Sequence, residues 1–422
     1  MIRVEINDEV TSEDLTSGHS VHVVDKCEDG TQLSVERATF DFDSLPLDVI
    51  LSILARLSLS DIARIASVSQ NFLLGWRGHP ILDFDMGESP NSGLIQSITH
   101  YLKKHSGGIS SLQILGNLRD DERQLETWLA LIIQKQIMCS TLKLASLQVL
   151  PNIVFSFAHI GYLELCNFTI NTDTSVKFPR LKNLVLEDCK FPDKVKNSMQ
   201  LFITGCPSCE TMELINPMIN GAHKTVDIDP ESLLSVRLKI DYPATCTWRI
   251  TSPLKTLKMD GEWDISTQQL QEAKCVTDLS IGTNSVPARI PFIFENLLSL
   301  ELDLIWDDDT VINMLNMIHH APNIQHLVIK SNDGSLFRER GDEDYWNELR
   351  SCIPMGLRTV VIKGYIGTWR EYDLMKCLLH ARNLQKMIIS VELMYTSRVE
   401  HCLQELMEEH PGITFQGNVC TS

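Results

Sequence analysis

A short apolar pattern keeps returning along this 422-residue chain, and it limits the available folds more than any other feature. From about residue 110 onward, segments such as STLKLA, GYLELC, KNLVLE, ETMELI, LSVRLK, KTLKMD, LSLELD and QHLVIK set large apolar residues two apart. Period two is that of a strand with one buried face. Matching positions Leu142, Leu163, Leu184, Met212, Val236, Leu257, Leu279, Leu300 and Leu327 recur at spacings of roughly 21 to 28 residues. No single unit of that size covers its own apolar side, so the units must stack. The pattern predicts an α/β arc with a parallel sheet on its concave side. Helices expected over 124–136, 194–204, 310–321 and 371–381 pave the outside, ended by proline or a Gly-Cys-Pro turn. Asp309 or Thr310 is the expected cap of the third. A β-sandwich would not set such helices regularly between its strands.

Ahead of the array, residues 45–69 read LPLDVILSILARLSLSDIARIASVS. Large apolar residues fall three and four apart along Val49, Ile50, Ile53, Leu54 and Leu57, and again through Ile62, Ile65, Ala66 and Val68, which predicts two amphipathic helices. Pro46 suits the first turn of the first helix, and Ser60 or Asp61 the cap of the second. A module of about forty residues cannot cover so many apolar side chains, and each is worth about 1.5–3 kcal/mol when buried. Part of that surface is expected to dock on another protein.

Composition narrows the field. With 37 Lys and Arg against 55 Asp and Glu, the formal charge of −18 argues against binding nucleic acid or an acidic membrane surface. The 12 cysteines are scattered singly in strand-like runs, as expected of core residues in a reducing compartment. No apolar run reaches membrane-spanning length, and the acidic start MIRVEINDEVTSEDL lacks the character of a secretory signal. The expected location is cytoplasmic, nuclear or both.

Within residues 41–86, Leu45-Pro46, Asp48, Ile53-Leu54, Leu59, Asp61, Val68-Ser69, Trp76 and the closing LDFD resemble the F-box family, in its plant-type form. Gln70-Asn71-Phe72-Leu73 departs from the usual basic-Trp-Arg stretch, with Phe72 where tryptophan is common. Further on, FPRLKNLVLEDCKF, LFITGCPSCETMELI and LRTVVIKGYIGTWREYDLMKCLLHARNLQKMIIS resemble the repeats and the closing FBD domain of plant-type F-box leucine-rich-repeat proteins. The expected order is an acidic, disordered stretch over 1–38, an F-box over 41–86, leucine-rich repeats over 105–340, and an FBD-like segment over 341–417 that continues the solenoid. A strand over residues 21–24 is a minor alternative within the first stretch.

The resemblance implies a non-catalytic substrate receptor of an SCF-type ubiquitin ligase. The F-box would bind a Skp-type adaptor and, through it, a cullin and a RING subunit, while the arc captures a protein target. Leu45, Pro46, Ile50, Ile53, Leu54, Leu59, Ile62, Val68 and Trp76 are the expected adaptor contacts, some of which must instead hold the module together. Strand alternation puts Lys143, Glu164, Glu187, Glu213, Arg237, Lys239, Lys258, Asp260, Glu301, Asp303, Lys330, Lys363 and Lys386 on the concave face, with a basic character expected over its last three strands. Two rival readings stay open: a repeat scaffold with no ligase role, and a small-molecule-sensing receptor.

Other candidate chemistry is sparse. Cys206 and Cys209 offer half of a zinc site, but no second pair accompanies them, so core cysteines are expected and no metal or cofactor. His319-His320 fits a helix C-terminus. Trp306-Asp307-Asp308-Asp309 lacks the pattern of a calcium loop. Asn167-Phe168-Thr169 matches a glycosylation acceptor only for a secreted chain. Phosphate-binding, dinucleotide, H-E-x-x-H and G-x-S-x-G signatures are absent from the sequence.

Overall fold

The computed structural model describes residues 45–54, 56–57, 75, 77–87, 90, 92–118, 122–135, 139–171, 176–192, 198–219, 224–241, 246–251, 253–304, 308–331, 353–392, 404 and 406–420. The acidic stretch over 1–38, the second predicted helix of the module and Trp306 lie outside them.

Among the described residues, 14 strands form one parallel sheet in chain order. They are β1 (Ile81–Asp85), β2 (Ser111–Leu115), β3 (Thr141–Ala145), β4 (Tyr162–Cys166), β5 (Asn183–Glu187), β7 (Thr211–Ile215), β10 (Ser235–Lys239), β12 (Thr256–Asp260), β13 (Asp278–Gly282), β14 (Ser299–Leu304), β15 (His326–Ser331), β16 (Thr359–Tyr365), β17 (Lys386–Glu392) and β18 (Thr414–Cys420). Two further parallel pairs stand apart: β6 (Lys190–Phe191) with β8 (Met218–Ile219), and β9 (Lys224–Ile228) with β11 (Cys246–Ile250).

Register explains why the repeats stack. The second residue of each strand faces its equivalent in the next, so Leu82, Leu112, Leu142, Leu163, Leu184, Met212 and Val236 stand side by side. The row continues through Leu257, Leu279, Leu300, Leu327, Val360, Met387 and Phe415. All but Phe415 are buried. A second row two residues later, from Phe84 and Ile114 to Ile362 and Ile389, is buried as well. Alternate residues turn to the opposite, open face, as period two requires.

Strand entrances repeat one hydrogen-bond device. The N–H groups of Ser140 and Thr141 both donate to the Ser110 carbonyl, those of Gly161 and Tyr162 to Ser140, and so on to Gln385 and Lys386 on Arg358. Strand exits repeat another. Asn167, Asp188 and Asn216, each just past a strand, take positive φ of 64°, 51° and 47°, a turn that Asn and Asp tolerate better than other side-chain-bearing residues. At the equivalent position Gly261 has φ +123°, and an added Cβ would lie 2.0 Å from the Ile240 carbonyl oxygen, so only glycine fits.

Helices Glu122–Gln134, Ser198–Thr204, Asp308–His319 and Trp369–Leu379 lie within a few residues of the expected spans. Asp309 and Thr310 sit inside the first turn of the third rather than capping it. The sheet also extends further than the repeat pattern indicates. Ile81–Asp85, read as the close of the F-box, is its first strand, and Thr414–Cys420 is its last.

Candidate functional site

Two surfaces stand out. The first is the helix Leu47–Leu54. The carbonyl of Pro46 accepts from the N–H groups of Val49 and Ile50 at 3.1 Å, starting the helix. Ile50 and Leu54, one turn apart, are both 0% exposed and pack with Leu45 and Leu57 in a cluster separate from the core of the arc. On the other side Val49 is 39% and Ile53 37% exposed, also one turn apart, and Pro46 is exposed beside them.

The structure therefore sorts residues that their sequence pattern leaves mixed. Leu45, Ile50 and Leu54 face the module's interior, whereas Pro46 and Ile53 face outward. Val49 belongs to the outward ridge and was missing from the expected adaptor contacts. Its spacing of four from Ile53 is the signal that would have included it. Leu59, Ile62, Val68 and Trp76 lie outside the described residues.

The module is tied to the arc through residues 77–80. The Ser106 N–H donates to the Arg77 carbonyl at 2.9 Å, and Ser110 to Pro80 at 2.8 Å. His79 and His105 are buried at this joint, and burial lowers the pKa of His105. The Lys135 ammonium donates to the carbonyls of Leu102 and Lys103 at 2.7 and 3.0 Å, closing the helix Ser92–Lys104.

The second surface is the open face of the sheet. Glu164, Glu213, Arg237, Lys258 and Glu301 occupy the middle position of their strands, as does Lys143, and Glu187, Lys239, Asp260, Asp303, Lys330 and Lys363 lie two residues further on. Most of these charges meet each other. Lys143 pairs with Glu164 at 2.9 Å, while Arg237 bridges Glu213 at 3.4 Å and Asp260 at 3.2 Å. Lys258 reaches Asp260 at 3.6 Å and Lys239 reaches Asp241 at 3.2 Å. Burial opposes ionisation of Glu164, but hydrogen bonds from Lys143 and Tyr162, with the Lys143 charge, outweigh it and hold the carboxyl below its usual range.

Two of the three lysines expected to make the last strands basic meet carboxylates of β14, while the third, Lys386, is the first residue of β17. Lys330 lies 3.2 Å from Glu301 and 3.1 Å from Asp303, and Lys363 lies 3.9 Å from Glu301. Burial opposes the charge on Lys330, yet these two carboxylates outweigh it and raise the pKa of the ammonium. What distinguishes β15 to β17 is an apolar row instead: Val328, Val361 and Ile388 are adjacent in register at the middle position, half-buried. Aligning QHLVIK, RTVVIK and QKMIIS on their buried residues would have shown it.

The remaining candidates are structural. Cys206 and Cys209 are fully buried, their thiols donate to the carbonyls of Phe202 and Thr211, and burial pushes the Cys209 thiol up to about 12. Among the described residues no group of three or more side chains is placed to hold a metal. His319 ends its helix, and the His320 ring bonds the Asn316 carbonyl at 2.8 Å. A cavity of about 560 Å³ at the strand entrances is lined by Thr277, Asn323, Arg358 and Asn383. The two asparagines are occupied there, bonding the carbonyls of Glu295 and Met355 at 2.8 and 2.7 Å.

Comparison with known proteins agrees with this architecture. Residues 42–81 match the F-box domain family. An F-box/FBD/LRR-repeat protein of Arabidopsis thaliana is 25% identical over 371 residues, covering 80% of this chain and 88% of the relative. A putative F-box/FBD/LRR-repeat protein of the same plant is 24% identical over 200 residues, 45% of this chain and 43% of its own length. Among solved structures, a leucine-rich-repeat protein of Leptospira interrogans covers 80% of this chain, with 95% of its own length covered, at 13% identity and a TM-score of 0.26. The fold is established by strand order and register, not by that superposition.

A small helical module joined to a leucine-rich-repeat arc defines an F-box protein of the substrate-adaptor class. The chain carries an F-box domain and is similar to the plant F-box/FBD/LRR-repeat family. Proteins of that family are typically non-catalytic, and F-box domains generally bind Skp-type adaptors.

Proposed function

We propose that this chain is the substrate-recognition subunit of an SCF-type ubiquitin ligase, working in the cytoplasm or nucleus. Pro46, Val49 and Ile53 press on a Skp-type adaptor, which links the chain to a cullin and a RING subunit. The open face of the arc holds the protein target. Ubiquitin transfer takes place on other subunits, and this chain's task is to hold the target at a fixed distance from them. A rigid sheet bonded strand to strand suits that task.

The observation that carries this reading is the apolar ridge of Val49 and Ile53 outside a closed Ile50–Leu54 pair. Two large aliphatic residues one turn apart, each more than a third exposed, give a partner an apolar surface to cover. Co-purification with a Skp-type adaptor tests it. Ile53→Asp, alone or with Val49→Asp, is expected to release the adaptor while the module stays folded. Full retention of the adaptor by the double variant would overturn the assignment. For target capture, pull-down under proteasome inhibition is compared between the natural chain and a variant with charges reversed at Arg237, Lys258 and Glu301. Unchanged capture would remove the middle of the open face from the proposal.

A further inference from the structure

The two edges of the sheet are finished differently. β1 pairs on one side with β2; Pro80 precedes it, and Asp83 and Asp85 are exposed within it. Proline and charge are the devices that keep a further strand from adding to an edge. β18 pairs with β17 along all seven residues of Thr414–Cys420, and among the described residues no strand pairs with its other edge. The sequence of that strand, TFQGNVC, contains no charge and no proline.

Backbone alternation determines which groups point outward. The Thr414 N–H donates to the Gln385 carbonyl at 2.9 Å, so Gln416, Asn418 and Cys420 also turn their backbone toward β17. The N–H and C=O groups of Phe415, Gly417 and Val419 then point away from the sheet. Phe415 is also the one member of the buried row that is only half-buried.

We propose that this edge is a homodimer interface, with β18 of one chain pairing antiparallel to β18 of a second copy about a two-fold axis at Gly417. In that register Gly417 faces its own equivalent and Phe415 faces Val419 of the other copy. These facing pairs are of the type that exchanges both hydrogen bonds, so every outward donor meets an outward acceptor. Thr414 stands opposite Cys420 and Gln416 opposite Asn418, so no like charges meet along the strand. The two-fold arrangement closes after two copies. Head-to-tail addition of β18 onto β1 would not close, and Pro80, Asp83 and Asp85 oppose it. The chain's −18 formal charge acts at longer range and is screened by salt, so association strengthens as ionic strength rises. A contact confined to one strand pair is small, which makes the dimer reversible and dependent on concentration.

The proposal is independent of adaptor or target binding, and the full-length chain alone tests it. Sedimentation velocity over a range of concentrations is expected to show a monomer–dimer equilibrium. Gly417→Pro and Val419→Pro remove outward donors that β17 does not use. Each is expected to weaken association by at least about tenfold, roughly 1.4 kcal/mol, with the melting temperature of the dilute monomer unchanged. Gln416→Pro, which takes a donor from β17, is expected to lower that melting temperature. Hydrogen exchange supplies a second readout: the amides of Phe415, Gly417 and Val419 become protected only at high concentration, while those of Gln416 and Asn418 are protected throughout. A single-chain mass at every concentration overturns the proposal, whether or not the outward amides are protected. So does a dimer that survives both proline variants.

Discussion

The ridge on the F-box helix and the open face of the repeat sheet are both turned to solvent, yet their chemistry is opposite. Among the described residues the ridge is two aliphatic side chains, and it gains simply by leaving water. The sheet face is a field of carboxylates and cations that largely answer one another, as Arg237 does between Glu213 and Asp260. A partner of the ridge has only to cover it. A partner of the face must compete with ion pairs already made, which costs affinity but lets the pattern of charges discriminate among targets. Under the proposed function, a general attachment point and a selective reading surface call for these two kinds of chemistry, and the apolar row Val328, Val361 and Ile388 is where the second surface most resembles the first.

Substitutions separate the two regions, beginning with the largest effect. Leu257→Ala empties a fully buried place in the row that runs through the arc and is expected to cost about 2–5 kcal/mol, read as a fall in the arc's unfolding transition while adaptor binding persists. Ile53→Asp reverses that pattern: adaptor affinity drops by about 2 kcal/mol or more in calorimetric titration, and the arc melts as before. Glu371→Ala comes next. The Glu371 carboxylate is fully buried and accepts from the N–H groups of Ile366 and Thr368 at the start of the helix Trp369–Leu379, so its loss is expected to cost about 1–3 kcal/mol in denaturant unfolding.

Smaller effects belong to the open face. Arg237→Ala is expected to change stability by less than about 1 kcal/mol, because its ion pairs are partly exposed. Glu164 adds a pH dependence of defined sign. Its folded pKa lies below the unfolded value, so its contribution is complete above about pH 4.3, the ordinary glutamate value, and is lost as pH falls through the folded value. Lys143→Ala is expected to flatten the acid limb of a stability–pH curve; an identical limb would show that the pair contributes nothing.

Much of this architecture is legible in the sequence because a half-buried strand needs little more than apolar residues two apart, and the repeats supply them again and again. The outermost strands were harder to read for a physical reason. ILDFD alternates correctly but follows the F-box pattern without a break, and TFQGNVC has Gly417 where the second buried row calls for a large side chain. The helix Leu47–Leu54 was legible as a helix, but not which side faced in, since Val49 and Ile53 are as apolar as Ile50 and Leu54. Charges on the open face could be assigned to a surface from alternation alone. Their partners could not, because Glu301 meets Lys330 and Lys363 only when the register of three separate strands is known.

The shared carbonyls at the strand entrances bear on how such a chain can change over evolutionary time. Each unit takes its first two backbone bonds from the unit before it and offers the same acceptor to the unit after it. Gain or loss of a whole unit leaves every remaining junction of the same kind, while gain or loss of one residue inside a strand would turn its buried side outward. Genes for such arcs are therefore expected to diversify by copying and deleting blocks, with smaller insertions confined to the crossings between strands.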